Sequence, residues 1–119
     1  MAKTDLSGLR RSNDPPLLIL TSLAGGSKHG YALSKDIEAF AGIVLSPGAL
    51  YGAIARLEER GLIEALDGDA RRRPYRLTLE GSNALAAALR ELRRVTDVAT
   101  SRLGVAGVAG IAGVAGVVA

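Results

Sequence analysis

Ser46-Pro47-Gly48-Ala49-Leu50-Tyr51-Gly52-Ala53-Ile54-Ala55-Arg56-Leu57-Glu58-Glu59-Arg60-Gly61-Leu62-Ile63 is the stretch on which the reading of this chain turns. Serine is a good helix N-cap, and a proline at the first helical position gives up an N–H that has no partner there anyway. Gly61 supplies the stop, because glycine takes the left-handed conformation that ends helices. Between them Leu50, Ile54 and Leu57 recur at i, i+4 and i+7, the stripe of a helix with one buried face. The other face carries Ala49, Tyr51, Gly52, Ala55, Arg56 and Glu59 and is small near its N-terminus. A helix thin at its leading end can approach another surface closely. The alternative is an ordinary surface helix, and the flanking sequence decides between them.

Upstream, Asp14 with Pro15-Pro16 signals a helix start, and Leu17 to Ala24 follows, apolar nearly all round. That is a buried helix, far too short to span a membrane. Gly25-Gly26 ends it. A second helix begins near Gly30, with Leu33, Ile37 and Phe40 as its stripe and Ser34, Lys35, Asp36 and Glu38 outside. Residues 41–45 connect it to the Ser46 cap. Two short helices, a turn and a third helix opened by proline match a helix-turn-helix.

Downstream the period changes. Leu62-Ile63-Glu64-Ala65-Leu66 and Pro74-Tyr75-Arg76-Leu77-Thr78-Leu79 read as strands, the second alternating between apolar and polar positions. Their link, Asp67-Gly68-Asp69-Ala70-Arg71-Arg72-Arg73, has turn residues first and three arginines next. A hairpin directly after the third helix is a wing, and arginines there suit phosphate oxygens. The alternative is a solvated charge run. From Glu80 to Leu103 the helical period returns, in a helix about 36 Å long. Leu85, Ala88, Leu92, Val95 and Ala99 form a heptad-like seam that Leu89, Thr96 and Leu103 widen, while Arg90, Glu91, Arg93, Arg94, Asp97 and Arg102 stay outside. Such a stripe packs against a second copy of itself or folds back on the first helix.

Composition narrows the function. The 119 residues suffice for one small domain and an appendage, and at 48% hydrophobic, with one Phe, three Tyr and no Trp, the core must be aliphatic. There is no cysteine, which removes disulfides, thiolate metal sites and a Cys nucleophile. The single histidine, His29, argues against a zinc site and a Ser-His-Asp triad. No nucleophile-base pair or phosphate-binding glycine loop is recognisable, so neither an enzyme nor a cofactor is expected. Net charge is only +3, but the arginines cluster, and that favours a polyanion partner.

The two ends read differently. Residues 1–13 are polar and mixed, a flexible arm whose Lys3, Arg10 and Arg11 serve solubility or touch DNA phosphate. Charges interrupt this segment and no hydrophobic region follows near enough for a secretory signal, so a cytoplasmic location is expected. In residues 104–119 glycine recurs at 104, 107, 110, 113 and 116 among Val and Ala. Collagen is rejected for lack of proline and repeats. Steps of three spread the glycines around a helix, so no single packing face results. A weakly ordered tail is the preferred reading, with extra dimer surface or a membrane anchor as alternatives; a membrane is not an expected partner.

Taken together, the residues resemble the PadR family of transcriptional regulators. The resemblance rests on His29-Gly30-Tyr31, on Ser46-Pro47-Gly48-Ala49-Leu50-Tyr51 and on Arg56-Leu57-Glu58-Glu59-Arg60-Gly61-Leu62-Ile63. Arg71-Arg72-Arg73-Pro74-Tyr75-Arg76-Leu77-Thr78 followed by Glu80-Gly81 completes it, and the match runs from about Pro15 to Leu103. It implies a mainly α fold with a small β-hairpin, a winged helix-turn-helix over 14–79 and a C-terminal dimerisation helix over 80–103, acting as a homodimeric repressor on double-stranded operator DNA. A single helix after the wing resembles the shorter members. Some of those hold planar ligands between aromatic rings at the dimer interface; here the last aromatic is Tyr75, which puts a stacking site in doubt and leaves any small-molecule effector open.

The expected DNA contacts follow. The helix 47–60 enters the major groove N-terminus first, with Gly48, Ala49 and Gly52 allowing close approach, Tyr51 offering its hydroxyl to a phosphate or base edge, and Ser46, Pro47 and Arg56 beside them. Its N–H groups and dipole favour phosphate. Lys28, His29 and Tyr31 clamp the neighbouring backbone, with a structural hydrogen bond as the alternative for His29. Arg71, Arg72, Arg73 and Tyr75 belong to the wing, and Leu85, Ala88, Leu89, Leu92, Val95, Ala99 and Leu103 to the dimer interface. With few long polar side chains on the reading face, half-site spacing and DNA shape are expected to carry much of the specificity. A winged-helix module that binds protein and a membrane-tethered regulator are the competing classes.

Overall fold

The structure, a computed structural model, describes residues 14–69 and 72–104. The expected N-terminal arm and the tail beyond Gly104 lie outside them, as does Arg71. Two compact units divide between Leu85 and Ala86. The first contains α1 (Pro15–Ala24), β1 (Lys28–His29), α2 (Gly30–Ala41), α3 (Pro47–Glu59), β2 (Ile63–Ala65) and β3 (Pro74–Leu77). A last helix, α4 (Leu79–Leu103), starts in the first unit and supplies the second. Among the described residues no helix is long and apolar enough to cross a membrane.

The core is aliphatic, and α1 lies at its centre. Leu18, Ile19, Leu20 and Leu23 are buried, and α1 touches α2, α3 and β3. Leu33 and Ile37 come from α2, Leu50, Ala53, Ile54 and Leu57 from α3, and Ile63 from β2. Phe40 departs from the stripe predicted for α2 and is 47% exposed. Consecutive i+4 steps drift around a helix, so the buried line continues from Leu33 and Ile37 to Ala41, which packs on the core while Phe40 turns to the flank.

Local chemistry fixes the ends of α3. The amide of Ala49 donates to Ser46 Oγ at 3.1 Å, with Pro47 in the first turn. At the other end Leu62 N donates to Leu57 O at 2.9 Å and Gly61 N to Glu58 O at 3.0 Å, with Gly61 at φ +75°. These are the two bonds of a Schellman stop, and they need a residue that tolerates positive φ.

The sheet is larger than the predicted hairpin. Its order is β1-β3-β2, all antiparallel, with Ile63 opposite Leu77, Glu64 opposite Arg76 and Ala65 opposite Tyr75. Glu64 and Arg76 form an ion pair on the outer face. The added strand is Lys28–His29, whose Lys28 lies opposite Tyr75 and His29 opposite Pro74. Central β3 therefore joins the wing to the chain just ahead of α2.

The launch of α4 is tied to the end of α3. The hydroxyl of Thr78 donates to Gly61 O at 2.7 Å and accepts from Gly81 N at 3.0 Å. Thr78 N donates in turn to Leu62 O at 3.1 Å. Gly81 is buried, and a β-carbon there would fall on the carbonyl oxygen of Leu62 and on Leu77. Gly81→Ala is expected to lose about 1–3 kcal/mol in urea unfolding through this overpacking. Gly52→Ala, where a β-carbon meets only Arg56 Nη1 at an ordinary 3.6 Å, serves as the contrast. It should gain about 0.5–1 kcal/mol from helix propensity alone. Equal changes at the two sites would contradict the close approach of α4 to Leu62.

Candidate nucleic-acid interface

The leading end of α3 is bare. Ser46, Pro47, Gly48 and Ala49 are all exposed, and their small size leaves backbone at the surface. Tyr31, at the start of α2, stands beside them and is 67% exposed. Gly30, Tyr31, Ser34, Leu45, Pro47 and Tyr51 line a shallow hollow of about 190 Å³ between the two helix starts. Lys35 holds its ammonium 5.8 Å from the centre of the Tyr31 ring, close enough for a cation–π contact. Sequence reasoning misses Lys35 as a member of this surface, although its i+4 spacing from Tyr31 is a readable signal.

Tyr51 has a structural partner. Its phenol lies against Gly30, where a β-carbon would overlap it, so the glycine at the start of α2 is what lets the two helices meet there. The ring still leaves Tyr51 49% exposed. Arg56 is exposed on the same helix, and its guanidinium extends back over Gly52.

Three predicted contact residues are occupied in the scaffold. Lys28 donates from Nζ to Ser22 O at 2.6 Å and to Gly26 O at 3.2 Å, and lies 4.0 Å from Asp36. Ser22 Oγ donates to the same Asp36 carboxylate at 2.6 Å. Lys28 thus satisfies carbonyls at the C-terminal end of α1, where a cation is favoured, and is turned away from the proposed backbone clamp. His29 accepts through Nδ1 from Ala32 N at 3.4 Å as the N-cap of α2, which is the structural alternative. Tyr75 is half-buried and packs against the core, because β3 alternates and points it inward while Arg76 faces out.

The wing is basic and partly preorganised. Arg72 N donates to Asp69 Oδ1 at 2.9 Å, and Leu66 N to Pro74 O at 2.8 Å closes the base of the loop. The side chains of Arg72 and Arg73 are exposed and have no ion-pair partner among the described residues. Cations free of internal carboxylates are available to an external anion.

In the second unit α4 carries an uncovered apolar stripe. Leu89, Val95 and Leu103 are 51%, 66% and 64% exposed, Ala99 is exposed, and Ala88 and Leu92 are half-buried. Val98, outside the predicted seam, is also exposed, and with Val95 and Ala99 it lines a shallow groove of about 570 Å³. Leu85 departs from the predicted seam. It is 8% exposed and belongs to the core of the first unit, because Thr78 and Gly81 anchor that turn of α4 there.

The half-buried wing tyrosine has a readable titration. Burial raises the Tyr75 phenol above its ordinary value of 10.0, the Glu58 carboxylate adds to the rise, Arg73 opposes it and Tyr51 raises it slightly further. The folded state therefore keeps this proton to higher pH than the unfolded chain does. The stability linked to Tyr75 is fully present below pH 10.0 and is lost as pH rises through the folded value. Urea unfolding on either side of pH 10.0 should show a loss at high pH that is smaller in Tyr75→Phe. An identical loss in the variant would contradict the burial of this hydroxyl.

Comparison with known proteins agrees with this geometry. The profile of the Transcriptional regulator PadR-like family matches residues 19–87. An uncharacterized 37.1 kDa protein in transposon TN4556 of Streptomyces fradiae is 42% identical over 86 residues, 72% of this chain and 25% of that protein. The chain thus spans about a quarter of the length of that curated relative. A PadR family transcription regulator from Clostridium difficile R20291 superposes with a TM-score of 0.67 at 28% identity, over 76% of this chain and 98% of that one. A transcriptional regulator from Clostridium thermocellum gives 0.63 at 33% identity, over 70% and 86%. The matched region runs from the buried helix α1, through the bare end of α3 and the basic wing, to the anchored start of α4; this chain belongs to the PadR-like family of transcriptional regulators.

Proposed function

We propose that this protein is a homodimeric repressor that binds double-stranded operator DNA in the cytoplasm. The observation that carries the reading is the bare, exposed N-terminal end of α3 in a unit whose wing presents Arg72 and Arg73, exposed and without an ion-pair partner among the described residues. In this reading Gly48 and Ala49 let the α3 backbone enter the major groove, and the N–H groups of its first turn face phosphate. Tyr31 and Tyr51 flank that end and offer hydroxyls to the same backbone. Arg71, Arg72 and Arg73 lie on the flanking phosphates, contacts that position the protein without reading sequence. The uncovered stripe Ala88, Leu89, Leu92, Val95, Ala99 and Leu103 pairs with its copy, because an exposed row of this kind is better buried than solvated. A pair so joined presents two α3 helices to a dyad.

Titration of DNA binding at several salt concentrations tests the wing. Replacing Arg71, Arg72 and Arg73 with glutamine should flatten the logarithmic salt slope by about one unit for each phosphate no longer neutralised. An unchanged slope would exclude the wing from the interface. Leu92→Arg tests the pairing by sedimentation. It should give monomers, whereas a surviving dimer would place the seam elsewhere.

A further inference from the structure

We infer that Arg56 reads a guanine in each half-site and is the main direct source of base specificity in this protein; the inference rests on the DNA-binding reading above. The exposed side of α3 is almost empty. In helical projection Gly48, Gly52 and Ala55 form its centre and Ala49 its edge, none extending beyond a β-carbon. Tyr51 and Arg56 stand at its two edges and Glu59 within it, all three exposed, and the Tyr51 phenol lies against Gly30.

Long side chains on a helix lean back over the turn before them, and Arg56 follows that rule. Here Nη1 stands 3.6 Å from the point a β-carbon on Gly52 would occupy, one turn towards the N-terminus. The guanidinium therefore lies over the middle of the bare face. Among the described residues no carboxylate lies within ion-pair distance of it. A β-carbon at Gly52 would still leave the guanidinium an ordinary contact of 3.6 Å, so small residues at this position leave it room.

Position on the helix then selects the partner. In a helix set into the major groove, its ends and flanks meet the sugar-phosphate walls and the middle of its inner face meets base edges. The Arg56 guanidinium is central. Glu59 shares the face, and its negative charge disfavours a phosphate there. A planar fork of donors laid flat over bare backbone matches the O6 and N7 acceptors of guanine, the pairing that arginine makes most often in this groove. One such contact per half-site supplies sequence information that Gly48, Ala49 and Ala55 cannot provide.

The test is selection of preferred sites from a randomised DNA duplex pool, followed by affinity measurements on duplexes changed one base pair at a time. The wild-type protein is expected to prefer guanine by about tenfold or more at one position of each half-site, as a bidentate pair provides. Arg56→Ala should lose the preference at that position and keep those elsewhere, with an unchanged melting temperature. Arg56→Lys, which cannot form the fork, should retain only part of it. Uniform weakening across all sequences in Arg56→Ala, with the salt slope reduced by about one, would make Arg56 a phosphate contact and overturn the inference. Full retention of the preference would overturn it equally. A wild-type protein that binds no duplex at low salt would instead overturn the DNA-binding reading itself, and this inference with it.

Discussion

Thr78 holds three segments at one point, two through its hydroxyl and one through its amide. The hydroxyl donates to the carbonyl of Gly61, where α3 stops, and accepts from the amide of Gly81, where α4 starts. The Thr78 amide bonds Leu62, the residue that leads into β2. A reading helix is useful only if the wing beside it stands at a fixed distance, and this junction sets that distance. It works because Gly61 tolerates a positive φ and because Gly81 lets the first turn of α4 reach the Leu62 carbonyl. The aliphatic core around α1 stabilises the domain, but it does not by itself place the wing.

The remaining polar groups divide between holding and presenting. Lys28, Ser22 and Asp36 tie β1, α1 and α2 into one network, and β1 in turn pairs with β3 of the wing. His29 caps α2, and Tyr75 fills the space under the sheet. Lys28, Ser22, Asp36 and His29 thus find their hydrogen-bond partners inside the domain, as polar groups drawn out of water require. Arg56, Arg72 and Arg73 have no ion-pair partner among the described residues, and with Tyr31, which meets Lys35, they remain exposed. An external polyanion meets a rigid frame whose exposed arginines are themselves ordered on binding, at a cost of about 0.5–1.5 kcal/mol each.

Legibility in the sequence follows the range of each interaction. Ser46, Pro47 and Gly61 act within a few residues of themselves, so the span of α3 and its buried face can be read directly. The alternation of Tyr75, Arg76 and Leu77 likewise reveals β3. Lys28–His29 cannot be read as a strand, because two residues carry no period and their pairing partner lies far along the chain. The same gap hides the job of Lys28, whose basic character matches a phosphate contact and a carbonyl anchor equally well. Phe40 and Leu85 sit correctly on apolar stripes, yet where a stripe leaves the core depends on the drift of the helix and on where it is anchored. Thr78 has no visible role in the sequence, since its two partners come from opposite sides of it along the chain. The direction of the Arg56 side chain is a matter of rotamer, which composition and spacing do not specify.

Paired α3 helices on a symmetric site are the central claim, and a hydroxyl-radical footprint of the full-length protein on a selected duplex tests them most directly. The paired arrangement predicts two protected half-sites related by a dyad, their centres separated by about one helical turn of roughly 34 Å or a multiple of it. Protection of a single unpaired patch, or even coverage with no dyad, would contradict it.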